Sequence, residues 1–225
     1  MKLAMLKDKS RIIVAIDFAN NTFYAKLSEI LRNVAGVKIG LPTILSKNFW
    51  EIIQQVRKSD AYVLMDLKLA DIPAVMMNTV NKISEIANGV IIHAFIGSSA
   101  LQRMREYLDE FNMDMFLIVA MTHPGSEEFI NKNCGEFLRI AKEVADGVVA
   151  PATFPEYIRM ARKFLGDKII ISPGIGRQGA PYGEALKNGA DFEIIGRAIT
   201  LADDPVLEIE KINMIHKEII TRAKG

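Results

Sequence analysis

The sequence contains very little cysteine and no strong excess of either charge. Cys134 is the one cysteine among 225 residues, so neither an intrachain disulfide nor a cysteine-based zinc cluster can form. The formal net charge is +1, which gives no sign of the basic surface that binds nucleic acid. We therefore expect a protein of a reducing compartment that has no nucleic acid as a partner.

Long apolar runs are also missing. No segment approaches the roughly 18 uncharged apolar residues of a membrane span, and residues 1–11 are too charged for a signal peptide. We therefore expect no membrane association and a cytoplasmic location. Half of the residues are nevertheless hydrophobic, which is enough for a large core. Because no linker or low-complexity segment interrupts the chain, residues 1–225 are predicted to form one domain.

Short apolar runs alternate with amphipathic stretches along the chain. Eight runs have the length of buried strands, and they span residues 12–17, 34–40, 61–68, 89–95, 115–121, 147–151, 168–173 and 192–196. The other stretches have helical spacing, and they span residues 22–33, 48–58, 74–87, 99–110, 137–144, 154–164, 182–187 and 205–222. Strands that alternate with helices form parallel βαβ units, and eight units in this length predict a (β/α)₈ TIM barrel. An open doubly wound sheet is the alternative, but its glycine-rich turn is replaced here by Asp17-Phe18-Ala19-Asn20.

The third apolar run ends in a cluster of charges. It continues into Asp66-Leu67-Lys68-Leu69-Ala70-Asp71-Ile72-Pro73. Residues two apart in a strand share a face, so Asp66 and Lys68 should point the same way, with Asp71 just beyond the strand. Burying such charges is costly unless they are paired, and a structural ion pair at the end of a strand is one interpretation. The other is a catalytic lysine that is held charged between carboxylates.

Polar residues stand near the ends of other runs as well. Asp17 ends the first run, Lys38 lies in the second, and Thr122 follows the fifth. The active sites of barrels form where the C-terminal ends of the strands meet, so convergence of these groups on Asp66 and Lys68 favours a catalytic site. Opposite charges at close range keep one another ionised, so we expect Lys38 to join the carboxylates.

The chain has three histidines, His93, His123 and His216. A histidine can act as an acid or a base near neutral pH, but Lys68 already offers a proton donor. We therefore expect His93 and His123 to be hydrogen-bonded residues at the rim of the barrel. His216, in the last helical stretch, is expected to lie on the solvated surface.

Two glycine-containing turns follow the last two runs. The seventh run leads into Pro173-Gly174-Ile175-Gly176-Arg177-Gln178-Gly179, and the eighth leads into Gly196-Arg197-Ala198. In barrels of this class the loops after strands seven and eight often bind phosphate through backbone N–H groups. The guanidinium group of Arg197 also matches the geometry of phosphate oxygens. Glycine-rich segments can be turns and nothing more, but two at these positions predict a ligand that carries a phosphate.

The ordered set of motifs resembles the orotidine 5′-monophosphate decarboxylase family over nearly the whole chain. Besides the motifs above, the resemblance includes Val37-Lys38-Ile39-Gly40, Thr122-His123-Pro124-Gly125 and Leu201-Ala202-Asp203. The Asp-x-Lys-x-x-Asp pattern is shared by a wider suprafamily, whereas the full set is specific. The resemblance implies a homodimeric barrel that converts orotidylate to uridylate and carbon dioxide in pyrimidine biosynthesis, without a metal or an organic cofactor.

The resemblance also implies roles for individual residues. Lys68 would protonate the pyrimidine carbon after carbon dioxide leaves, Asp66 would lie against the departing carboxylate, and Asp71 would reach in from the neighbouring subunit. Lys38 and Asp17 would complete the charge array and hold ribose hydroxyls. The substrate contacts would include Thr122 at the pyrimidine edge and Gln178, Gly196 and Arg197 at the phosphate, with further contacts from Ile72, Pro173, Gly174, Gly176 and Gly179.

One position departs from the family pattern. Four residues after Asp71 the family usually has threonine, which helps to hold the ribose from the partner subunit, and this chain has Val75. The loss of one hydroxyl contact would cost about 1 kcal/mol of binding free energy. We therefore expect weaker ribose binding and no change of reaction.

Two alternative functions stay open at this point. A metal-dependent sugar-phosphate decarboxylase or aldolase of the same suprafamily needs a carboxylate on strand two as a Mg²⁺ ligand, and this chain has Lys38 there. A non-catalytic sensor of a phosphate-bearing ligand would have no use for a proton donor such as Lys68. The sequence therefore favours the decarboxylase.

Overall fold

A computed structural model describes residues 1–177 and 179–224. Within this part of the chain, eight parallel strands close into a barrel in which each strand pairs with the next and the last pairs with the first. The strands are β1 (Ile12–Ala15), β2 (Gly36–Gly40), β3 (Tyr62–Leu69), β4 (Gly89–His93), β5 (Asp114–Ile118), β6 (Gly147–Val149), β7 (Ile169–Ser172) and β8 (Phe192–Ile195). The predicted (β/α)₈ barrel is confirmed, and every strand overlaps the apolar run that predicted it.

The helices surround the barrel. They are α1 (Asn21–Ala25), α2 (Leu27–Asn33), α3 (Leu41–Ile44), α4 (Phe49–Arg57), α5 (Pro73–Ile83), α6 (Ser98–Glu110), α7 (Cys134–Val144), α8 (Pro155–Leu165), α9 (Glu184–Lys187), α10 (Arg197–Thr200) and α11 (Pro205–Lys224). Short 3₁₀ turns lie at Leu3–Leu6, Ala94–Ile96, Pro124–Glu127 and Asn131–Asn133. The sequence pattern did not predict α3 and α10, which have four residues each and lie outside the amphipathic stretches.

Alternation along the strands separates two apolar layers. Ile13 points into the barrel and packs with Tyr62 and Phe116, whereas Ile12 and Val14 point outward against the helices. The helices meet them with one buried stripe each, as in α4, where the buried positions have the spacing i, i+3, i+4 and i+7. In the described residues, no helix combines the length and the apolar character that a membrane span requires.

The N-terminal end of the barrel is closed by side chains. Leu3 is fully buried there, and its backbone N–H donates to Oδ2 of Asp114 at 2.9 Å. The hydroxyl of Tyr62 donates to the same carboxylate oxygen at 2.8 Å. Burial and the neighbouring Asp114 raise the pKa of Tyr62 well above its ordinary value, so the phenol stays a neutral donor. The opposite, C-terminal end of the barrel is where a ligand can enter.

The expectation that His216 lies on the solvated surface is wrong. His216 is buried, and its Nε2 lies 2.8 Å from Oε2 of Glu193 on β8, which is itself fully buried. The carboxylate of Glu193 also accepts hydrogen bonds from the backbone N–H groups of Gly183 at 2.9 Å and Ala185 at 3.0 Å. These contacts tie α11, β8 and the segment before α9 together. A buried carboxylate is stable here because it has three partners.

Candidate active site

A cavity of about 470 Å³ opens at the C-terminal ends of the strands. Its lining combines ionised and apolar side chains. The charged lining residues are Asp17, Lys38, Asp66, Lys68, Arg177 and Arg197. The apolar walls include Ile91, Ile118, Val149 and Ile194, which are inward-facing strand residues. A cavity of this kind suits a ligand that combines an apolar part with several charged or polar groups.

Four of the predicted residues form a chain of alternating charge across β1, β2 and β3. The Nζ atom of Lys38 lies 2.7 Å from Oδ2 of Asp17 and 2.8 Å from Oδ2 of Asp66. The Nζ atom of Lys68 lies 2.7 Å from Oδ1 of Asp66. Asp66 therefore engages one lysine with each of its carboxylate oxygens.

Strand pairing explains why these groups meet. Lys38 on β2 is paired in register with Ala15 on β1, close to Asp17, and Gly40 is paired with Asp66 on β3. The backbone N–H of Gly40 donates to Oδ1 of Asp17 at 2.8 Å. A Cβ atom at position 40 would lie only 2.5 Å from that oxygen, so glycine permits the close approach.

The backbone of β3 is irregular at Lys68. Lys68 has a φ of 45°, a conformation that is uncommon for residues with a side chain. The pairing of β3 with β4 shifts register between Met65 and Leu69, as happens at a β-bulge. The alternation of side chains along a regular strand, from which we expected Asp66 and Lys68 to share a face, therefore breaks down at Lys68. The two side chains nevertheless form an ion pair. Strained backbone of this kind is concentrated at functional sites.

The contacts within the array favour the charged forms of its two most buried members, Lys38 and Asp66. Burial disfavours the Lys38 ammonium, but the carboxylates of Asp66 and Asp17 outweigh burial and raise the pKa of Lys38. Burial likewise disfavours the charged form of Asp66, but Lys38 and Lys68 outweigh it and lower the pKa of Asp66. The lysines differ in access, because the Lys68 side chain is 45% exposed and that of Lys38 only 10%. Both lysines line the cavity, and Lys68 is the more accessible of the two.

Asp71 and Ile72 lie outside the cavity of their own chain. Both are exposed, and Oδ1 of Asp71 accepts a hydrogen bond from the backbone N–H of Ile72 at 2.7 Å. Within residues 1–177 and 179–224, Asp71 forms no salt bridge. Val75, at the position where threonine was expected, is also exposed on the first turn of α5.

Only some of the predicted phosphate-binding residues line the cavity. Pro173, Gly174, Gly196 and Arg197 line the cavity. Gly176 and Gly179 do not line it, and the N–H of each donates to a backbone carbonyl of the same loop. Gln178 lies outside the described residues. Arg177 also lines the cavity. It was not predicted as a site residue from the sequence, although it lies within the glycine-rich turn that was predicted to bind phosphate.

Thr122 lines the cavity on the loop after β5, and this loop is held by a buried asparagine. The Nδ2 group of Asn131 donates to the carbonyl oxygen of Met121 at 3.1 Å and to Oγ of Ser126 at 3.0 Å. Its Oδ1 accepts from the N–H of Met121 at 2.9 Å. Sequence reasoning missed Asn131, because no pattern links it to a residue ten positions earlier.

His93 and His123 were expected to be hydrogen-bonded through their rings, and the structure shows no such bond for either ring in the described residues. The ring of His93 stacks on Phe95 with 4.7 Å between the ring centroids, and its buried Nδ1 has no hydrogen-bond partner in the described residues. Burial and the nearby ammonium of Lys68 lower the pKa of His93, so the ring is neutral at neutral pH. His123 is exposed, and no side-chain hydrogen bond of its ring occurs in the described part of the chain.

The site offers no clustered metal ligands. Among the described residues, no group of three or more His, Cys, Asp or Glu side chains is arranged to hold a metal ion. The two carboxylates that line the cavity, Asp17 and Asp66, are both engaged by Lys38.

Most of the chain matches one family of known proteins. Residues 10–212 match the family described as "Orotidine 5'-phosphate decarboxylase / HUMPS family". The chain is 42% identical over 192 residues to the orotidine 5′-phosphate decarboxylase of Sulfurisphaera tokodaii, a match that covers 83% of this chain and 86% of that protein. It is 37% identical over 205 residues to the Aeropyrum pernix enzyme of the same name, with 87% and 84% covered.

Solved structures give the same result. The crystal structure of orotidine 5′-monophosphate decarboxylase from Sulfolobus solfataricus matches with a TM-score of 0.85 at 32% identity, and the match covers 94% of this chain and 100% of that one. The Methanocaldococcus jannaschii enzyme complexed with the inhibitor BMP matches with a TM-score of 0.82 at 27% identity, covering 92% and 98%.

Proposed function

The chain belongs to the orotidine 5′-phosphate decarboxylase / HUMPS family, and we propose that it is a carboxy-lyase that converts orotidylate to uridylate and carbon dioxide in pyrimidine biosynthesis. The observation that carries this proposal is the alternating array of Asp17, Lys38, Asp66 and Lys68 in one cavity. Arg197, in the same cavity, supplies a group for the phosphate of the substrate.

The chemistry requires strong electrostatic stabilisation. Loss of carbon dioxide leaves an electron pair on a ring carbon that has no adjacent carbonyl to delocalise it. Enzymes lower barriers by roughly 8–23 kcal/mol in typical cases, and preorganised charge supplies much of this where no cofactor takes part. The ammonium of Lys68, partly exposed to the cavity, is suited to stabilise the negative charge as it develops.

Lys68 also acts as the proton donor in this proposal. As the carbon–carbon bond breaks, its electrons stay on the ring carbon, and a proton moves from Nζ of Lys68 to that carbon. The neutral amine then regains a proton from solvent, to which the side chain is accessible. Asp66 orients the ammonium and remains ionised, because its pKa is lowered by Lys38 and Lys68 despite its burial.

Asp66 has a second effect on the substrate. A substrate carboxylate placed beside the Asp66 carboxylate is repelled, and the repulsion ends when neutral carbon dioxide forms. Lys38 keeps Asp17 and Asp66 together, since two adjacent carboxylates would otherwise repel each other. We assign Lys38 and Asp17 to the ribose hydroxyls as well.

The remaining contacts hold the two ends of the substrate. Thr122 is assigned to the pyrimidine edge, and Arg197 with Gly196 to the phosphate. Gln178, Pro173, Gly174, Gly176 and Gly179 are assigned to the phosphate loop by resemblance to the family. Phosphate binding lies away from the reacting carbon, so its binding energy can position the ring.

We further propose a homodimer in which Asp71 serves the partner's Lys68. The position of Asp71 supports this, because the residue is exposed and lies outside the cavity of its own chain. Large apolar side chains are also exposed on the loops and helices that follow β2, β3 and β4, namely Leu41, Leu45, Trp50, Ile72, Val75 and Phe95. Exposed apolar residues grouped on one side of a rim are typical of an interface between subunits. We propose a cytoplasmic location, in keeping with the lone, buried Cys134.

The proposal is tested by following the ultraviolet absorbance of orotidylate with and without excess EDTA. We expect conversion to uridylate at the same rate in both conditions, and none with a Lys68→Ala preparation purified in parallel from the same host. Loss of activity in EDTA would instead support the metal-dependent enzymes of the suprafamily. Tight binding of orotidylate without turnover would support a sensor.

A further inference from the structure

The loop after β7 is anchored at a point away from the cavity. This loop (residues 173–177 and 179–180, called the β7 loop) is bonded to itself, because the N–H of Gly176 donates to the carbonyl oxygen of Ala180 at 2.9 Å. The chain then reaches Tyr182, whose hydroxyl donates to Oε1 of Glu208 on α11 at 2.7 Å. Tyr182 does not line the cavity.

The β7 loop, α10 and Tyr182 meet at Gly176. A Cβ atom at this glycine would lie 2.9 Å from Cβ of Ala198 and 3.4 Å from Cε1 of Tyr182, and the φ of 76° also favours glycine. Gly176 directly precedes Arg177, and Ala198 directly follows Arg197. The Tyr182 ring therefore packs where the segments that carry the two cavity-lining arginines touch.

The hydrogen bond to Glu208 is suited to hold this ring. Tyr182 is partly buried, and burial together with the bond to Glu208 raises the pKa of its phenol, which therefore remains a donor. Glu208 offers a carboxylate, and hydrogen bonds to charged acceptors are stronger than neutral ones. Lys211 lies 3.6 Å from the other oxygen of Glu208 and 5.9 Å from the centre of the Tyr182 ring.

The chain after Tyr182 is fixed separately to the barrel. The N–H groups of Gly183 and Ala185 donate to Glu193 on β8, the strand that ends directly before Gly196. The stem of the β7 loop is thus tied to β8 by Glu193, while Tyr182 connects the loop to α11. These two attachments can be separated by mutation.

We propose that Tyr182, held by Glu208, is a positioning residue that keeps the β7 loop against α10 so that Arg177 and Arg197 face one phosphate group. The inference rests on the proposed function, because it names the determinant of phosphate recognition in that site. Tyr182 touches neither the reacting groups nor the cavity, and it acts through Gly176 and Ala198.

The test compares orotidylate with orotidine, the same substrate without phosphate. Tyr182→Ala should lower kcat/KM for orotidylate by about tenfold or more and change that for orotidine by less than about twofold. Tyr182→Phe keeps the ring and should lose about threefold on orotidylate, and Glu208→Gln, which keeps an acceptor, should stay within about twofold of wild type. Tyr107→Ala is the matched control, because Tyr107 is also partly buried but lies on α6.

Equal losses on both substrates, or the same loss in Tyr107→Ala, would refute the positioning role. In an Arg177→Ala/Arg197→Ala background, Tyr182→Ala should have no further effect, and an undiminished effect there would also refute it. If Tyr182→Ala does not fold, Tyr182→Phe and Glu208→Ala carry the comparison. The affinities for uridylate and uridine, measured by calorimetry, give the same comparison without turnover. If wild-type protein binds uridylate but does not decarboxylate orotidylate, the proposed function is wrong. The binding comparison still tests the role of Tyr182 in that case.

Discussion

Lys68 and Asp66 form an ion pair of 2.7 Å whose two members differ in exposure. The carboxylate is buried and is held from its other side by Lys38, whereas nearly half of the Lys68 side chain is open to the cavity. A fixed carboxylate thus orients a lysine that can still reach a ligand. Preorganised charge of this kind does not have to reorient during the reaction, which is why it can stabilise a transition state strongly.

Removal of Lys68 should abolish decarboxylation and leave nucleotide binding intact. We expect Lys68→Ala to fall below about a hundredth of the wild-type rate, since general acid catalysis is typically worth 10²-fold or more. Uridylate should still bind in calorimetry, because the proposed phosphate contact, Arg197, is unchanged in this variant. Lys82→Ala, an exposed lysine on α5, is the control. A rate above about a hundredth in Lys68→Ala would contradict the proton-donor role.

The lowered pKa of Asp66 predicts a pH-dependent contribution to stability. A carboxylate whose pKa is lower in the folded state stabilises the fold fully above its unfolded pKa of about 3.9, and this contribution is lost as the pH falls through the folded value. Lys38→Met removes a cation that lowers this pKa. The difference in free energy of unfolding between wild type and Lys38→Met should therefore be largest at neutral pH and shrink below about pH 4.

Urea denaturation from pH 3 to pH 7 measures this difference, and Lys47→Met is the control because Lys47 is exposed. The control should show no such trend. A difference for Lys38→Met that stays constant down to pH 3 would mean that Asp66 is not stabilised by Lys38.

Arg197→Ala should weaken binding of the substrate phosphate and leave the decarboxylation step nearly unchanged. A hydrogen bond to a charged group contributes about 1.5–3 kcal/mol, so kcat/KM for orotidylate should fall by roughly 10- to 100-fold, mainly through KM. Orotidine, which has no phosphate, should be decarboxylated at nearly the wild-type rate. Arg103→Ala, on the exposed face of α6, should change neither substrate. An equal loss on both substrates would exclude Arg197 as the phosphate contact.

The sequence was sufficient to predict the barrel and the residues of the charge array. Strands of a parallel barrel are buried on both faces, so they stand out as apolar runs, and a charge at the end of such a run is conspicuous. Asp17, Asp66 and Lys68 were found in this way, and Lys38 was found as a charge within such a run. The apolar walls of the cavity could not be separated from the core, because Ile91 and its neighbours are inward-facing strand residues like those that fill the barrel.

The prediction that His216 is exposed was wrong because it did not take the helical period into account. His216 follows Ile209 by seven residues and Ile212 by four, so it falls on the buried stripe of α11. Its partner Glu193 lies 23 residues earlier on β8, and only the folded chain brings them together. The positive φ of Lys68 occurs where the register between β3 and β4 shifts, and no sequence pattern predicts that shift.

His216→Ala should therefore destabilise the protein. It removes one of the three partners of a fully buried carboxylate, and we expect a loss of about 2–4 kcal/mol in the free energy of unfolding, between the effect of a buried hydrogen bond and that of a buried ion pair. Urea denaturation at neutral pH measures it. Lys217→Ala, at the next and exposed position of α11, should stay within about 0.5 kcal/mol of wild type. The burial of Glu193 would not depend on His216 if the two variants were equally stable.

A shared site across a two-fold interface predicts complementation between two inactive variants. Lys68→Ala and Asp71→Ala should each be inactive alone, because each removes one residue from both sites of its dimer. After dissociation and reassociation, about half of the dimers are mixed, and one of their two sites has native Lys68 from one chain and native Asp71 from the other. Roughly a quarter of wild-type activity should then return. Differently tagged subunits report the exchange, and absence of recovery after proven exchange would place Asp71 in the site of its own chain.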